Sequence, residues 1–400
     1  MGFDVIKREW VEDFTPWKRE PKEDSYCPDV ERESMNVKPK RRKFYLYPQN
    51  RHLDAYTKRA ALTVSRSVVS RESYSGEEMI FQCSGTIIDS VDTCNIILTS
   101  ASLLRCSTNR NSVADNIKVI VHLFDGRSFD GHIESYDFHY NVAAIKIQLD
   151  TLLPGTEEKS IQLRPHSNSF DLIPGVSVIA LGRLNKKPYD IMAAPGEFSI
   201  DRCDYDDFDC KELFMATCKI TIATSFTPFF LKKKNSLSHL HLLWWICGDG
   251  GPLINHFGKV IGICFHDVGS TAFLPINIAS IWWEHHKKYG QSHPPWLGME
   301  VTNLYAADLE LLERIIPKLP DVLKGVIVEE VVAGSSAESA GIKHNDVIIQ
   351  FGRKRIHSFL ELFENMWNNV GESMELAVIR ASHDVPVHLR MVVEEVTSDK

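Results

Sequence analysis

Short runs of aliphatic residues, separated by polar turns, recur along the chain between residues 61 and 275. They cover residues 61–69, 79–83, 95–99, 117–123, 142–148, 176–180, 214–224, 253–255, 260–265 and 272–275. Most are rich in Val, Ile, Leu and Thr, residue types that favour strands. Asp125-Gly126-Arg127 lies between two such patterns and is typical of a hairpin turn. So many short strands with almost no helix between them predict a mainly β fold, an antiparallel barrel or sandwich.

The first clear helical pattern closes this β-rich region. It covers residues 277–288, and His293-Pro294-Pro295 follows, where two consecutive prolines cannot continue a helix. Residues 296–395 then alternate between strands and helices, with the second helix at 358–369, and predict a separate α+β domain. We therefore expect an N-terminal arm at 1–59, a β domain at 60–292 and an α+β domain at 296–395.

The N-terminal segment differs from the rest in composition. Residues 1–50 contain 11 Lys or Arg and 10 Asp or Glu, which predicts a mobile arm that buries too little apolar surface to fold. Within it, Lys38-Pro39-Lys40-Arg41-Arg42-Lys43 places five positive charges in six residues. Such a cluster fits a nuclear-import receptor or a phosphate surface, and equally a solvated charge run. The start of the chain lacks the apolar core of a secretory signal, so we expect a nuclear or cytoplasmic protein.

Charge, hydropathy and cysteine content narrow the classes of function. The chain has 45 Lys or Arg against 53 Asp or Glu, a net charge of −8, which argues against a long nucleic-acid-binding surface. No apolar stretch approaches the roughly 18 residues that cross a bilayer, so no membrane partner is expected. The nine cysteines are thinly spread and odd in number, unlike a disulfide framework. Cys203 and Cys210 flank an acidic loop without the close spacing of a zinc site, and we predict neither a metal nor a cofactor.

Three segments of the β domain, taken in order, carry a resemblance to a known family. The first contains Cys83-Ser84-Gly85-Thr86 and Leu98-Thr99-Ser100-Ala101-Ser102, the second Tyr140-Asn141-Val142-Ala143-Ala144-Ile145-Lys146, and the third Cys247-Gly248-Asp249-Gly250-Gly251-Pro252. Together they resemble the active-site segments of the Do-like (HtrA-type) serine proteases, and most resemble the plant branch of that family. The resemblance implies a trypsin-like double β-barrel followed by a PDZ domain.

At the three catalytic positions of that family this chain carries other residues. Ser102 stands where the family has its general-base His, Asn141 where it has the orienting Asp, and Asp249 where it has the nucleophilic Ser. A Ser hydroxyl is not basic enough to take a proton near pH 7, and Asn has no charge to stabilise an imidazolium. In the oxyanion loop Cys247-Gly248-Asp249, Cys replaces the usual Gly, and the Asp249 charge opposes a developing oxyanion.

These departures predict a catalytically inactive homologue, a pseudoprotease that serves as a peptide-binding scaffold or chaperone-like module. The alternative, implied by family membership, is an active serine endopeptidase in proteolysis and protein quality control. Cys247 as a replacement thiol nucleophile is a weaker interpretation, because a buried cysteine more often packs as a small apolar residue.

The segment after Pro295 resembles a protease-linked PDZ domain. Trp296-Leu297-Gly298-Met299 resembles the loop whose backbone N–H groups hold the C-terminal carboxylate of a peptide. Phe363 and Trp367 lie at helical spacing on the second helix, and we predict that they line the peptide pocket. The implied partners are polypeptide C-termini or unfolded segments, and Do-like homologues in homo- or hetero-oligomers. The competing interpretations are that these helix residues are core, and that the PDZ domain is only an interdomain packing surface.

Overall fold

The computed structural model describes residues 50, 52–91, 93–106, 109, 111–149, 172–202, 210, 212–219, 248–266, 271–318 and 324–396. Most of the predicted arm, with its basic cluster, lies outside these residues, as do Cys203 and Cys247. What we expect of them stays a prediction. Within the described residues, no helix combines the length and apolar character needed to cross a bilayer.

The described part of the chain begins with a helix, α1 (Ala55–Val64), in place of a strand. Asp54 caps it, because its carboxylate accepts hydrogen bonds from the backbone N–H groups of Tyr56 (2.8 Å) and Thr57 (2.9 Å). A 3-10 turn, Ser65–Ser67, follows. The strand prediction for residues 61–69 is therefore wrong up to residue 67, because the Asp54 cap starts a helix that carries through the aliphatic residues behind it.

Six antiparallel strands form the first barrel. They are β1 (Val68–Ser75), β2 (Glu78–Val91), β3 (Cys94–Ser100), β4 (Ile117–His122), β5 (Ser128–Asp137) and β6 (Val142–Gln148), with a 3-10 helix, Ala101–Leu104, after β3. The order around the barrel is β1-β2-β3-β6-β5-β4, closed where β1 pairs with β4 and Ser70 lies opposite His122. Buried aliphatic side chains such as Ile97 and Ile145 fill its interior.

Six further strands form a second closed barrel. They are β7 (Ser177–Arg183), β8 (Ile191–Arg202), β9 (Phe214–Ala216), β10 (Pro252–Asn255), β11 (Val260–His266) and β12 (Thr271–Pro275), in the order β10-β11-β12-β9-β8-β7. Helix α2 (Ile276–Tyr289) follows and ends at Gly290, whose φ of 77° lies in the left-handed region. The two barrels confirm the predicted mainly β fold.

The third domain is a mixed sheet with helices. Its elements are β13 (Pro295–Trp296), β14 (Met299–Asn303), α3 (Leu309–Ile315), β15 (Val326–Val331), α4 (Ser336–Ser339), β16 (Val347–Phe351), β17 (Lys354–Arg355), α5 (Phe359–Trp367), β18 (Ser373–Ile379), β19 (Val387–Val392) and β20 (Glu394–Glu395), with 3-10 turns at Leu304–Ala306 and Ile316–Lys318. The main sheet runs β14-β15-β16-β18-β19, which makes β14 an edge strand, and β13 pairs with β20. This domain confirms the predicted α+β architecture.

An aromatic face of α5 attaches this domain to the barrels. Phe359 and Trp367, eight residues apart, lie on the same face of the helix. Trp367 stacks on Tyr140 of the first barrel and meets His285 of α2, with ring centroids 5.7 Å apart in both pairs. The ring centroid of Phe359 lies 6.1 Å from that of Phe214 in the second barrel. We call this contact the domain seam, and it positions α5 against the barrels as well as against its own sheet.

Truncation of Trp367 tests the domain seam. Its side chain is 1% exposed, so we expect Trp367→Ala to lower the free energy of unfolding by about 3–5 kcal/mol, the usual loss for a large buried aromatic. Urea unfolding followed by far-UV circular dichroism measures the change. Phe257→Ala is the control, because Phe257 is 69% exposed and its loss should cost less than about 0.5 kcal/mol. Similar losses in the two variants would contradict a seam centred on Trp367.

Candidate functional site

Ser102 and Asn141 lie side by side at one end of the first barrel. The pairing of β3 with β6 sets Ser100 opposite Val142, so the residues just beyond these strand ends meet. Asn141 Oδ1 accepts hydrogen bonds from the backbone N–H (3.0 Å) and the hydroxyl (3.1 Å) of Ser102. Asn141 Nδ2 donates to Ser100 Oγ at 3.0 Å. The structure thus brings these two predicted residues together in a neutral hydrogen-bonded pair.

This pair contains no group that can take a proton at neutral pH. The hydroxyl of Ser102 donates to an amide oxygen, and neither side chain is basic. The nearest histidine in sequence, His139, lies instead with its Nε2 3.5 Å from Glu212 Oε2. His139 therefore faces a carboxylate outside the Ser102–Asn141 pair.

Asp249 lies in a tight turn at residues 248–251 that docks on the first barrel. Gly250 has a φ of 71°, and the N–H of Gly251 donates to the Gly248 carbonyl at 3.1 Å. The carbonyl of Asp249 accepts a hydrogen bond from the N–H of Ser84 on β2 at 2.7 Å. Asp249 itself is only 5% exposed. Its carboxylate is therefore buried at the junction of the two barrels, while Cys247 lies outside the described residues.

A buried arginine, Arg71 on β1, supplies positive charge near Asp249. Its side chain is fully buried, and Nη2 donates to the carbonyls of Leu98 (2.9 Å) and Ser84 (3.2 Å). The guanidinium occupies the space over Gly85, where an added Cβ would fall 1.2 Å from Nη2. Among the described residues, Nε and Nη1 of Arg71 have no hydrogen-bond partner. Gly85 is therefore the residue that makes room for this cation.

Arg71 stays positively charged at neutral pH although its side chain is buried. Burial lowers the pKa of Arg71 to about 10, while Cys83 and Asp249 act to raise it. Burial also raises the pKa of Cys83 to about 12, so that thiol is neutral at pH 7. Asp249 thus contributes a compensating negative charge for a buried cation. The sequence patterns did not single out Arg71, because an arginine that follows Val68-Val69-Ser70 in a strand pattern is normally exposed.

The predicted carboxylate-binding loop lies at the start of edge strand β14. Gly298 has a φ of 66°, and its carbonyl accepts a hydrogen bond from Val332 N–H at 2.9 Å. A Cβ added at Gly298 would lie 2.6 Å from Ser335 Cβ, so only glycine fits this turn. Leu297 is buried, Trp296 is half-buried, and Met299 pairs with Val331. The loop is thus held in a fixed turn.

Phe363 and Trp367, predicted for the peptide pocket, are 0% and 1% exposed. Phe363 packs between Phe359 and Trp367, with ring centroids 5.6 and 5.5 Å away, within the aromatic face that forms the domain seam. The structure therefore places Trp367 in interdomain packing, as the competing interpretation expected, and shows Phe363 as core. A part for either residue in peptide binding stays a prediction.

Comparison with known proteins gives consistent similarities. Residues 295–391 match the PDZ domain family. The chain is 29% identical over 326 residues to the Do-like 14 protein of Arabidopsis thaliana, covering 79% of this chain and 65% of that protein. It is 26% identical over 282 residues to serine protease HTRA4 of Mus musculus, covering 69% and 52%. The solved structure "HtrA-type protease AlgW with tripeptide" is 18% identical, with a TM-score of 0.51, covering 85% of this chain and 97% of that one.

The sequence relatives and the solved structure support different conclusions. The chain spans less than two thirds of the length of either sequence relative. The structural likeness, at 18% identity, shows a common fold.

A double-mutant cycle tests whether Arg71 and Asp249 form a charge pair that stabilises the fold. We expect Asp249→Asn to lower the free energy of unfolding by about 3–5 kcal/mol, because it leaves the buried guanidinium uncompensated. In Arg71→Met/Asp249→Asn the cation is gone, so the loss should be smaller than the sum of the two single losses. Urea unfolding of the four proteins gives the coupling energy. Additive losses, within about 0.5 kcal/mol, would contradict the pairing.

Proposed function

We propose that this chain, a member of the Do-like (HtrA-type) serine-protease family with a C-terminal PDZ domain, is a pseudoprotease that binds polypeptides without cleaving them. The observation that carries the proposal is the pairing of Ser102 with Asn141. One amide oxygen accepts from both the N–H and the hydroxyl of Ser102, and the sequence resemblance aligns these two residues with the family's His and Asp. Such a pair has no base to activate a nucleophile.

The residue at the family's nucleophile position, Asp249, supports the same proposal. Asp249 is a buried carboxylate whose charge helps compensate Arg71. Its attack on a peptide would form a reactive anhydride, and its charge opposes the oxyanion of a tetrahedral intermediate. Losing one oxyanion donor alone costs about 2.7–4 kcal/mol of transition-state stabilisation, and losing the triad costs more.

An active serine-type endopeptidase, serving proteolysis and protein quality control, is the second candidate. The names of the relatives favour it, since the mouse protein is a serine protease and the solved structure is an HtrA-type protease. This candidate requires a base and a nucleophile other than the residues at the three family positions. His139 beside Glu212 and Cys210 comes nearest to such a constellation, but burial and Glu212 raise the pKa of the Cys210 thiol well above its ordinary value, which disfavours the thiolate that would attack.

Peptide capture is the activity that we assign to the PDZ domain. The turn at Gly298 and the edge strand β14 offer the elements by which an extended peptide adds to a sheet and its carboxylate meets backbone N–H groups. The proposed partners are polypeptide C-termini or unfolded segments, with Do-like homologues as oligomeric partners. The basic cluster from Lys38 to Lys43 supports a nuclear or cytoplasmic site of action.

Hydrolysis of unfolded, fluorogenic casein separates the two candidates. We expect no turnover by the purified wild type and none by Asp249→Ala, because neither has a base at position 102. A variant with Ser102→His, Asn141→Asp and Asp249→Ser also needs Arg71→Met, since a serine at 249 leaves the buried cation uncompensated. Any activity that this variant gains shows that the barrels still admit substrate. Wild-type turnover that survives repurification and disappears in Asp249→Ala, shown by circular dichroism to be folded, would contradict the pseudoprotease.

Peptide capture is tested by the fluorescence anisotropy of labelled peptides from a C-terminal library. We expect binding with a free carboxylate and weaker binding with a C-terminal amide. Gly298→Ala should weaken binding at least tenfold, because the new Cβ meets Ser335 and distorts the loop. Gly334→Ala is the matched control: its φ of 79° imposes similar strain, but no atom lies within 4 Å of the added Cβ. Binding that ignores the carboxylate, or equal losses in both variants, would contradict capture by this loop.

A further inference from the structure

A cluster of three different metal-ligating side chains lies where the two barrels meet. His139 follows β5 of the first barrel, and Cys210 and Glu212 lie just before β9 of the second. An imidazole nitrogen, the thiol sulfur and a carboxylate oxygen all lie within 4.8 Å of one another. Residues 71 positions apart in the chain are thus brought together by the fold alone.

Two of the three ligand-atom distances lie close to those of a tetrahedral metal site. Cys210 Sγ lies 3.2 Å from Glu212 Oε2, and His139 Nε2 lies 3.5 Å from the same oxygen. Zinc bonds of about 2.3 Å to sulfur and about 2.0–2.2 Å to nitrogen and oxygen set neighbouring ligand atoms of a tetrahedron about 3.4–3.6 Å apart. The third pair, the Cys210 sulfur and the His139 imidazole nitrogen, lies within 4.8 Å, so metal binding requires these two side chains to move closer by about 1 Å or less.

The backbone holds the cluster in place. Asp137 Oδ1 accepts hydrogen bonds from the N–H groups of His139 (2.9 Å) and Tyr140 (3.1 Å), which fixes the turn that carries the imidazole. Cys210 is 1% exposed, whereas the side chain of His139 is 36% exposed. The cluster therefore has a buried thiol on one side and an opening to solvent on the other, through which an ion and a water ligand can enter.

A second observation also points to a ligand. The hydroxyl of Tyr140 is buried and has no hydrogen-bond partner among the described residues. This unpartnered phenol belongs to the residue that directly follows His139, with the two ring centroids 4.8 Å apart, and a metal-bound water within reach of the hydroxyl would give it a partner.

We propose that His139, Cys210 and Glu212 form a zinc-class divalent cation site that joins the two barrels. On binding, the Cys210 thiol releases its proton to solvent, and its thiolate, the neutral imidazole and the carboxylate become three ligands. One thiolate and one carboxylate balance the 2+ charge, which suits a largely buried site. Mixed nitrogen, sulfur and oxygen donors favour zinc over magnesium or calcium. This site is independent of whether the barrels cleave peptides.

Metal titration of the full-length chain, stripped with a chelator, tests the proposal. We expect one equivalent of Zn²⁺ to bind. Co²⁺ in its place should give a thiolate-to-metal charge-transfer band and the intense d–d absorption of a tetrahedral site. His139→Ala, Cys210→Ser and Glu212→Gln should each weaken binding at least tenfold. Cys94→Ser and His132→Ala are the controls, since both residues lie on the first barrel outside the cluster, and they should bind like the wild type.

X-ray absorption at the zinc edge of the wild type gives a second readout that needs no variant. It should show one sulfur among nitrogen and oxygen neighbours. A shell of several sulfurs, or of none, overturns the proposal, and so does the lack of stoichiometric binding. Binding that persists unchanged in folded Cys210→Ser or Glu212→Gln, checked by circular dichroism, overturns it as well, because the metal would then lie elsewhere in the chain.

Discussion

A cation buried beside the junction of the two barrels, the guanidinium of Arg71, is the constraint on which the candidate site depends. It fits because Gly85 leaves the space that a Cβ would fill, and the Ser84 carbonyl accepts one of its hydrogen bonds. The N–H of Ser84 in turn holds the turn that carries Asp249. One short stretch of β2 therefore joins the cation to the turn. Because a buried charge costs several kcal/mol unless it is compensated, this pocket requires an anion nearby.

The need for an anion near Arg71 affects how the residues at the three substituted catalytic positions, 102, 141 and 249, are interpreted. A serine at position 249 would leave Arg71 without the negative charge that raises its pKa, so we expect the stability effects of residues 71 and 249 to be coupled. Ser102 and Asn141 form a second pair, in which each polar group meets a partner from the same pocket. A reactive site keeps a group available to act on substrate, whereas the side chains of Ser102 and Asn141 are hydrogen-bonded to each other and to Ser100. These hydrogen bonds support the pseudoprotease proposal, because the residues at the two positions form a pair with each other and are not isolated losses from an active site.

Sequence patterns predicted the architecture well, because strand and helix periods depend on which face of each element is buried. The helices predicted at 277–288 and 358–369 correspond to α2 (Ile276–Tyr289) and α5 (Phe359–Trp367). The contact of Ser102 with Asn141 agrees with the family resemblance, which aligns these residues with a His and an Asp that interact in the catalytic triad. Arg71 could not be anticipated, because an arginine in a half-buried strand is normally exposed, and its burial depends on Gly85 across the strand pair. The cluster of His139 with Glu212 was also out of reach, since 73 positions separate these residues and only the fold joins them.

The domain seam adds a constraint on peptide capture. At its N-terminus α5 is tied to the end of β14, since the N–H of Phe359 donates to Asn303 Oδ1 at 2.7 Å. At its C-terminus Trp367 stacks on Tyr140, the residue directly before Asn141. A peptide that adds to β14 and pushes α5 outward must therefore separate Trp367 from Tyr140, giving up buried aromatic area. If peptide binding moves α5 in this way, contacts in the domain seam oppose it, because the same helix contacts both β14 and the first barrel.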